Sequence, residues 1–502
     1  MENQMKIGEV AIENVKIDLS SRDEIPKVLI GLQNIYKNNE VREQVFNALE
    51  DLVPENVNMN NGRPGMNLWT ILVLGTIRVS TNWDFDKLRE IANNHLTLRE
   101  MLGLSKFNSK QYPLQTIKDN ISLFTPGVLD KINQIVVIYG HEIIGKKPDE
   151  ELKGSCDSSV VKTNVHYPTD INVLFDAMRI MIVTIMLLCD QLCMPGWKKG
   201  IFNLKKVKKL FIHAQRVTSK NKKKKKNTKN KKKINKKKKK EKEKEKEKAI
   251  IDAHSAYIDF CEFIIVRVKD SIESITSDDM LIQAKIFQIN NYIAHAERQI
   301  DQTRRRVIKG ESIPHHEKVF SIFEEHTRWI SKGKAGVPQE LGLPVCFVKD
   351  QYGFILYHYV MHEETDEKVA VPVIKEVKKR FPDFNSCSFD KGFHSPYNQE
   401  ELKKILDKVI LPRKGKLSAI NKEIESSDEF KEARRKHAAV ESSIGALQNH
   451  GLDRCPDHGI DGFERYVALG VLARNIQILG HTIQQKELKR QKKEKKQRLL
   501  AA

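Results

Sequence analysis

The sequence predicts an α/β protein in which helices flank a sheet of mixed direction, and three observations support this fold class. A segment of strand character surrounds Asp157. Two apolar runs within residues 344–364 are joined by a turn signal at Asp350 to Gly353 and predict a hairpin. Short strands then alternate with helices as far as residue 482. Strands that first pair antiparallel and then alternate with helices are typical of a mixed sheet.

Residues 1–145 predict a helical N-terminal domain. Apolar side chains recur at helical spacing in MNLWTILVLGTIRVS and DFDKLREIANNHLTLREMLGL, and Pro64-Gly65 and Pro126-Gly127 mark turns. Two interpretations of this region remain: an all-helical domain with a structural role only, or a helix-turn-helix domain that recognises DNA sequence. No helix in it shows a clear basic recognition face.

A helical insertion is predicted within the second domain, residues 146–482, at about residues 172–334. The segments INVLFDAMRIMIVTIMLLCDQL and AHSAYIDFCEFIIVRVKDSI each carry a broad apolar face, as partners in a helical bundle do. Between them, the tract of residues 219–248 has almost nothing apolar to bury and repels itself in water. We therefore expect this lysine-rich tract to be disordered.

The positive charge is concentrated in two tracts. The net charge is +21 and the pI is about 9.4, which suggests an anionic partner. Residues 220–248 hold 19 Lys and 4 Glu, and residues 486–498, in the basic C-terminal tail 483–502, hold 8 Lys or Arg and 2 Glu. These tracts account for the whole net charge. The rest of the chain therefore has a net charge of about zero. A groove that binds nucleic acid there requires its basic side chains to be clustered by the fold.

Cysteine usage and apolar runs indicate a soluble, intracellular protein. The seven cysteines show neither a disulfide framework nor a zinc-site spacing. The N-terminus lacks the pattern of a signal peptide, and the longest apolar run, about ten residues, is too short to span a bilayer. We expect a cytoplasmic protein, nucleoid-associated if the source is prokaryotic.

Three acids stand out by position: Asp157 within the first strand, Asp390 at the end of a later strand, and Glu441 within a helix. Taken singly, each has an ordinary explanation, since a helix Glu is usually a solvated residue and an Asp at a strand end is usually a turn or cap residue. The alternation of the first strand places the Asp157 carboxylate on the face opposite Cys156 and Ser158.

The helix with Glu441 has a polar stripe that can face the sheet. Arg434, His437, Glu441 and Gln448 recur at spacings of three, four and seven. If this stripe lies against the sheet near the two aspartates, three carboxylates converge and repel one another unless cations neutralise them. Oxygen ligands of this type suit Mg²⁺ or Mn²⁺, and two such ions can support phosphodiester chemistry.

Several motifs resemble one family. From CDSSVVKTNVHYPTD through EKVFSIFEEHTRWISKGKAG, FDKGFHSPYN and LPRKGK to HAAVESSIGALQNHGLDRC, the sequence resembles insertion-sequence transposases of the DDE class, over about residues 60–482. The resemblance implies an RNase H-like catalytic domain in which Asp157, Asp390 and Glu441 are the catalytic, metal-binding acids. Some relatives carry a Tyr-x2-Arg-x3-Glu-x6-Lys signature around the last acid. Here His437 and Gln448 stand in the Arg and Lys places, so this chain departs from the signature at both phosphate-binding positions.

The resemblance implies a DNA transposase that uses Mg²⁺ or Mn²⁺, as two ions, to cut the ends of its element and join the 3′-hydroxyls to target DNA. It implies binding to terminal inverted repeats by the N-terminal region, and a homodimer assembled on DNA. Near the site, the candidate DNA-binding residues are Lys391, His394, Arg413, Lys414, Lys416, Arg434 and His437. A catalytically inactive, transposase-derived DNA-binding protein and an RNase H-like nuclease remain alternatives.

Deleting the lysine-rich residues 220–248 tests the interpretation of that tract. Because the tract buries nothing and salt screens its charge, deletion should leave the melting temperature and the specific binding of element ends nearly unchanged. Affinity for unrelated duplexes should fall at low salt. Thermal unfolding and gel-shift titrations measure both effects, and a large drop in melting temperature would contradict the interpretation.

Overall fold

The computed structural model describes residues 9–53, 65–227, 236–331, 339–437 and 439–501. The helices are α1 (Glu24–Lys37), α2 (Asn39–Glu50), α3 (Leu68–Ser80), α4 (Phe85–Asn94), α5 (Leu96–Met101), α6 (Leu114–Ile121), α7 (Pro126–Ile144), α8 (Asp170–Gln191), α9 (Gly200–Asn227), α10 (Lys236–Glu273), α11 (Met280–Thr303), α12 (Asp366–Arg380), α13 (Pro396–Ile405), α14 (Ala419–Ser426), α15 (Asp428–His437), α16 (Ala439–Leu447) and α17 (Gly459–Ala501). The strands are β1 (Leu152–Thr163), β2 (Arg328–Ser331), β3 (Gln339–Lys349), β4 (Ile355–Val360), β5 (Phe384–Phe389), β6 (Lys408–Ile410) and β7 (Arg454–Cys455).

The chain forms two compact units. The first unit contains the residues up to Asn164 and from Arg328 onward, and the second contains Val165–Thr327. The sheet and helices α1–α7 and α12–α17 belong to the first unit, and α8–α11 form the second. The predicted α/β class with a mixed sheet is confirmed.

The sheet of the first unit is antiparallel on one side of β1 and parallel on the other. Its order is β2-β3-β1-β5-β6, with β4 also pairing with β3 and β7 with β1. β1 is antiparallel to β3 and parallel to β5, and β5 is parallel to β6. The predicted hairpin is present as β3 and β4, which pair antiparallel.

The strands before and after the second unit, β1 and β2, pair with the same residue of β3 from opposite sides. Lys162, near the end of β1, pairs with Gly342, and Arg328, at the start of β2, pairs with the same glycine from the other side. Of the residues between Lys162 and Arg328, only Thr163 and Asn164 belong to the first unit. The others, Val165–Thr327, form the second unit. The insertion predicted at about 172–334 corresponds to this unit, whose boundary falls at Thr327 because Arg328–Ser331 joins the sheet.

Helices α1–α7 share one hydrophobic core with the sheet. The core extends from Ile25 and Leu72 in the helices to Cys156, Phe389 and Leu472. The predicted N-terminal domain therefore does not have a separate core among the described residues. The longest helix of the unit, α17, packs against α1, α3 and α7 and provides the central surface of this assembly.

Buried polar contacts join α7 and α17 to the hairpin. The Asn475 side chain accepts from the Ile355 backbone N–H at 2.9 Å and donates to Asn133 Oδ1 at 2.7 Å. Asn133 also donates to the Ile355 carbonyl oxygen at 3.1 Å. His141 Nε2 lies 2.6 Å from Asp350 Oδ2 at the hairpin turn. Because unpaired polar groups are costly inside a core, these contacts fix the hairpin relative to the helices.

The second unit is a helical bundle with its own core. That core includes Leu174 and Ile182 of α8, Tyr257 and Ile264 of α10, and Ile293 of α11. By length and composition α8 could cross a membrane, since an 18-residue window has a mean hydropathy of 2.0, but half of that window is buried in the protein. Helices α6 and α7 pass the same test only as a pair bent by 80°. A core helix of a soluble protein has this same character.

The described ends of the lysine-rich tract are helical, although the sequence predicts disorder. α9 continues to Asn227 and α10 begins at Lys236, while residues 228–235 lie outside the described part of the chain. Lys and Glu are both good helix formers, which favours a helix in the alternating segment 241–248. Helices anchored in the core on both sides also supply the costly first turn.

Two glycines allow α1 and α17 to approach closely. A Cβ atom on Gly480 would lie 1.8 Å from the Lys27 carbonyl oxygen, and one on Gly31 would lie 2.4 Å from the Ile476 carbonyl oxygen. Both obstacles are backbone atoms and cannot rotate away. The crossing therefore requires glycine at both positions.

Replacing Gly480 by alanine should destabilise the first unit. The added methyl group must push α1 and α17 apart, and overpacking of this kind costs about 1–3 kcal/mol of the free energy of unfolding. Urea unfolding monitored by circular dichroism measures the change. Gly127→Ala, at an exposed position in the first turn of α7 where an added Cβ meets no atom within 4 Å, is the matched control and should be neutral or slightly stabilising. Equal stability of Gly480→Ala and wild type would contradict this packing.

Candidate active site

The parallel pairing of β1 and β5 brings Asp157 and Asp390 next to each other. Cys156 pairs with Phe389, and both side chains are buried in the core. Asp157 and Asp390 each follow one residue later, and Asp390 has extended backbone angles (φ −73°, ψ 159°) that continue the strand. Since side chains alternate along a strand, both aspartates occupy the opposite face. Neighbouring strands lie about 4.8 Å apart, so the two carboxylates share one small region.

The preceding residues of the two strands show that this face is polar. Ser155 pairs with Ser388, and their hydroxyl oxygens are 2.9 Å apart. Asp157 is half-buried, and its Oδ1 accepts from the Ser158 backbone N–H at 2.8 Å. Asp390 is exposed at the end of its strand. The two acids are therefore accessible at the carboxyl end of β5, where open sheets commonly bind ligands.

The helical segment with Glu441 lies across this polar face. His437 Nδ1 lies 2.9 Å from the Ser388 hydroxyl oxygen on β5, and Gln448 Nε2 donates to the Ser159 hydroxyl oxygen on β1 at 3.1 Å. These two contacts flank both acids along the chain: Asp157 lies between Ser155 and Ser159 on β1, and Glu441 lies between His437 and Gln448.

A third contact, on the other side of β1, supports the same placement. Lys349 Nζ donates to the Ser443 hydroxyl at 3.0 Å, and Lys349 pairs with Ser155 across β1 and β3. The backbone of Glu441 belongs to α16, two residues before Ser443. The side chain of Glu441 lies outside the described atoms, so its carboxylate stays a prediction.

The donor atoms at this place suit a hard divalent cation. Among the side chains that the structure describes, which do not include that of Glu441, no group of three His, Cys, Asp or Glu is spaced to hold a metal ion. The described donors, Asp157 and Asp390, are carboxylate oxygens, the ligands that Mg²⁺ and Mn²⁺ take. A third carboxylate from α16 would complete an all-oxygen site.

Asp366 is an acid near the site that the sequence did not single out. It begins α12, and its side chain forms a hydrogen bond with the Ser158 hydroxyl. A Cβ atom on Gly392 would lie 2.8 Å from Asp366 Oδ2, so the turn after Asp390 is close to this carboxylate. Burial raises the pKa of Asp366 and the charge of Asp390 raises it further, while Ser158 and Lys414 lower it. An acid in the first turn of a helix is common, so the sequence held no signal for this contact.

Lys349 is a second site residue that the sequence did not single out. Its position within the apolar run PVCFVKD predicts a strand end rather than a functional group. The paired Ser155 places Lys349 on the face of Asp157, and the residue is half-buried. Burial lowers the pKa of Lys349, against the opposing charge of Asp350.

The loops after β5 and β6 carry most of the predicted DNA-binding cations. Because the two strands are parallel, these loops meet at the same edge of the sheet. Lys414 Nζ donates to the Gly392 carbonyl oxygen at 2.8 Å and lies 3.3 Å from Glu367 Oε2. The side chains of Lys391 and Lys416 are exposed, and that of Arg413 is half-buried.

The remaining three predicted cations differ in their surroundings. His394 is buried, and burial, together with Arg413 and Lys414, lowers the pKa of its imidazole. A neutral, buried ring is a poor ligand for phosphate. Arg434 is exposed on α15, and His437 is occupied by its contact with Ser388. The exposed side chains of Lys391, Lys414, Lys416 and Arg434 are therefore the more suitable ones for an anion.

Asp366→Asn should stabilise the metal-free protein in a pH-dependent way. A carboxyl whose pKa is raised in the folded state binds more protons there than in the unfolded state, so the wild type loses stability as the pH rises from about 4 through the raised pKa. The asparagine variant lacks this loss. We expect it to be more stable than wild type at pH 7, with the difference vanishing near pH 3.

Urea unfolding in EDTA at several pH values measures this difference. The matched control is Glu400→Gln, which neutralises an exposed acid on the neighbouring helix α13 and should change little at any pH. A variant of Asp366 that is less stable than wild type at pH 7 would show that the carboxylate serves mainly to hold Ser158 and the helix start.

No family model, no curated protein and no solved structure matches this chain.

Proposed function

We propose that this protein is a DNA transposase of the DDE class with an RNase H-like catalytic domain. The observation that carries the proposal is the adjacent placement of Asp157 and Asp390 on two parallel strands, with the Glu441 segment bonded across the same face through His437 and Gln448. The strand order β4-β3-β1-β5-β6, antiparallel as far as β1 and parallel beyond it, is consistent with an RNase H-like sheet.

In this proposal the three acids hold Mg²⁺ or Mn²⁺, as two ions. When bound, such ions activate a water or a 3′-hydroxyl and stabilise the departing oxygen of a phosphodiester. The protein's own residues position the DNA. Lys391, Lys414 and Lys416 lie at the sheet edge where a phosphate backbone would pass, and Lys349 lies beside Asp157 on the polar face. One site can serve cleavage and strand transfer, because both are displacements at phosphorus.

The proposed substrates are the terminal inverted repeats of the protein's own element and the target DNA. Binding of the repeats is proposed for the N-terminal helices, and assembly on DNA for a homodimer. Because α1–α7 share a core with the sheet, repeat binding and catalysis would be functions of one folded unit. An isolated fragment of residues 1–145 would expose the surface that α17 covers, so binding experiments require the whole chain.

Neutralising the acids one at a time tests the proposal. Asp157→Asn, Asp390→Asn and Glu441→Gln should each reduce cleavage by at least about a thousandfold, and the triple variant should be no worse than any single one, because the acids act as a unit. The assay uses a labelled duplex that carries the DNA flanking the reading frame, with Mg²⁺, Mn²⁺ or Ca²⁺, and resolves nicked and joined products. We expect turnover with Mg²⁺ or Mn²⁺ and little with Ca²⁺, whose bonds are longer and looser.

Internal controls separate chemistry from folding. Each variant should keep its melting temperature and its affinity for the element's end. Glu432→Gln, an exposed acid on α15, should cut like wild type. A Glu441→Gln variant that cuts normally would show that Glu441 is not the third acid of the site. Nicking without joining would favour the nuclease, and specific binding without cleavage in any metal would favour the inactive DNA-binding protein.

A further inference from the structure

The basic tract at residues 486–498 belongs to the last part of α17. The helix extends to Ala501, and every side chain from Lys489 to Leu500 is exposed. This part of the helix therefore does not pack against the first unit, unlike the buried stretch from Phe463 to Leu479. A helix that is polar all round and unpacked gains little from tertiary contacts, so its charges are available to another molecule.

One side of this segment carries four lysines and no acid. At about 100° per residue, Lys489, Lys492, Lys493 and Lys496 fall within an arc of about 100°, which we call the basic face. Glu487 and Glu494, the only acids of the tract, lie on the opposite side. The other cations of the tract, Lys486, Arg490, Lys495 and Arg498, lie outside this arc.

The acids are paired on their own side of the helix. Arg490 Nη2 lies 2.8 Å from Glu487 Oε1, and Arg490 Nε lies 3.8 Å from Glu494 Oε1. Within the described residues, none of the four lysines of the basic face makes an ion pair. Instead they neighbour one another at i, i+3 and i, i+4, and like charges at these spacings destabilise a helix. A polyanion on this face would relieve that repulsion.

We propose that the basic face of α17 binds the phosphate backbone of duplex DNA. Duplex DNA carries about one negative charge per 1.7 Å of its axis, and four lysines along about 10 Å of helix complement that density. An anionic membrane surface fits less well, because a membrane-bound helix presents an apolar face opposite its lysines, and here that side carries Glu487, Gln491 and Glu494. The proposal goes beyond the catalytic one, since backbone binding needs no cleavage and holds for an inactive protein as well.

Two variants of the full-length chain test this surface. The first replaces the four lysines: Lys489→Gln, Lys492→Gln, Lys493→Gln and Lys496→Gln. The second, a matched control, lowers the net charge by the same four units away from the basic face by combining Arg490→Gln, Gln491→Glu, Lys495→Gln and Arg498→Gln. Fluorescence anisotropy with a scrambled duplex in EDTA, from 50 to 200 mM salt, gives the affinity and its salt dependence without any contribution from cleavage.

We expect the variant without the four lysines to bind at least about tenfold more weakly than wild type at 50 mM salt, and the matched control to lose much less. The slope of log affinity against log salt should be shallower by about 3–4 in the four-lysine variant, at about 0.9 per lost phosphate contact. If the matched control lost as much affinity as the four-lysine variant, net charge alone would account for binding and the basic face would be excluded. If the four-lysine variant bound like wild type, this segment would make no contact with DNA.

Two further measurements keep the result unambiguous. Circular dichroism and the melting temperature should match wild type in both variants. If either loses helix, Lys489→Gln with Lys493→Gln replaces the first variant, and Lys495→Gln with Arg498→Gln replaces the control. Sedimentation with phosphatidylserine–phosphatidylcholine vesicles tests the membrane alternative. Binding to vesicles that depends on the basic face, with unchanged DNA binding, would overturn the proposal. Because no metal is present, failure here leaves the acid-dependent cleavage experiment unaffected.

Discussion

The parallel register between β1 and β5 is the constraint on which the candidate site depends. Ser155 pairs with Ser388 and Cys156 with Phe389, so the chain delivers Asp157 and Asp390 to the same face at the same level. A slip of one residue would move one acid into the core and Cys156 or Phe389 into water. The buried side chains of Cys156 and Phe389 prevent that slip, since each belongs to the hydrophobic core. The hydrophobic effect thus sets the spacing of two charged groups.

The helices far from the acids contribute to the same geometry. β1 is held on its other side by β3, and the β3–β4 hairpin is fixed by the buried Asn133 and Asn475 contacts and by His141 with Asp350. The N-terminal helices are therefore part of the framework of the site. A substitution that loosens α7 or α17 can disturb the Asp157 strand without touching an acid.

The local patterns of the sequence were sufficient for most elements of the first unit. The strand around Asp157, the hairpin with its turn at Asp350, and the helix stripe of His437 and Gln448 were predicted because alternation and helical spacing are encoded within a few residues. The structure places that stripe against the sheet, through Ser388 and Ser159. The register that puts Asp390 beside Asp157 joins residues far apart in the chain, and spacing alone could not supply it.

The residues that were missed depend on such distant contacts. Asp366 was indistinguishable from any acid at a helix start until the fold brought Ser158 and Gly392 to it. Lys349 was hidden in a strand. The composition of the lysine-rich tract gave a wrong prediction for its ends. The lack of apolar residues predicts disorder there, whereas α9 and α10 continue into the tract. Helix propensity and the anchored neighbouring helices account for the difference.

The second unit occupies the connection between two parallel strands of the sheet, β1 and β2. Lys162 and Arg328 flank the single residue Gly342, so the two junctions are about two strand spacings, or about 10 Å, apart. Both strands are antiparallel to β3, so β1 and β2 run parallel to each other with β3 between them. A straight link would pass through β3 itself, and a connection between parallel strands needs about a dozen residues or more. Any shorter replacement for the inserted bundle must therefore keep at least that length if the strands around the acids are to keep their pairing.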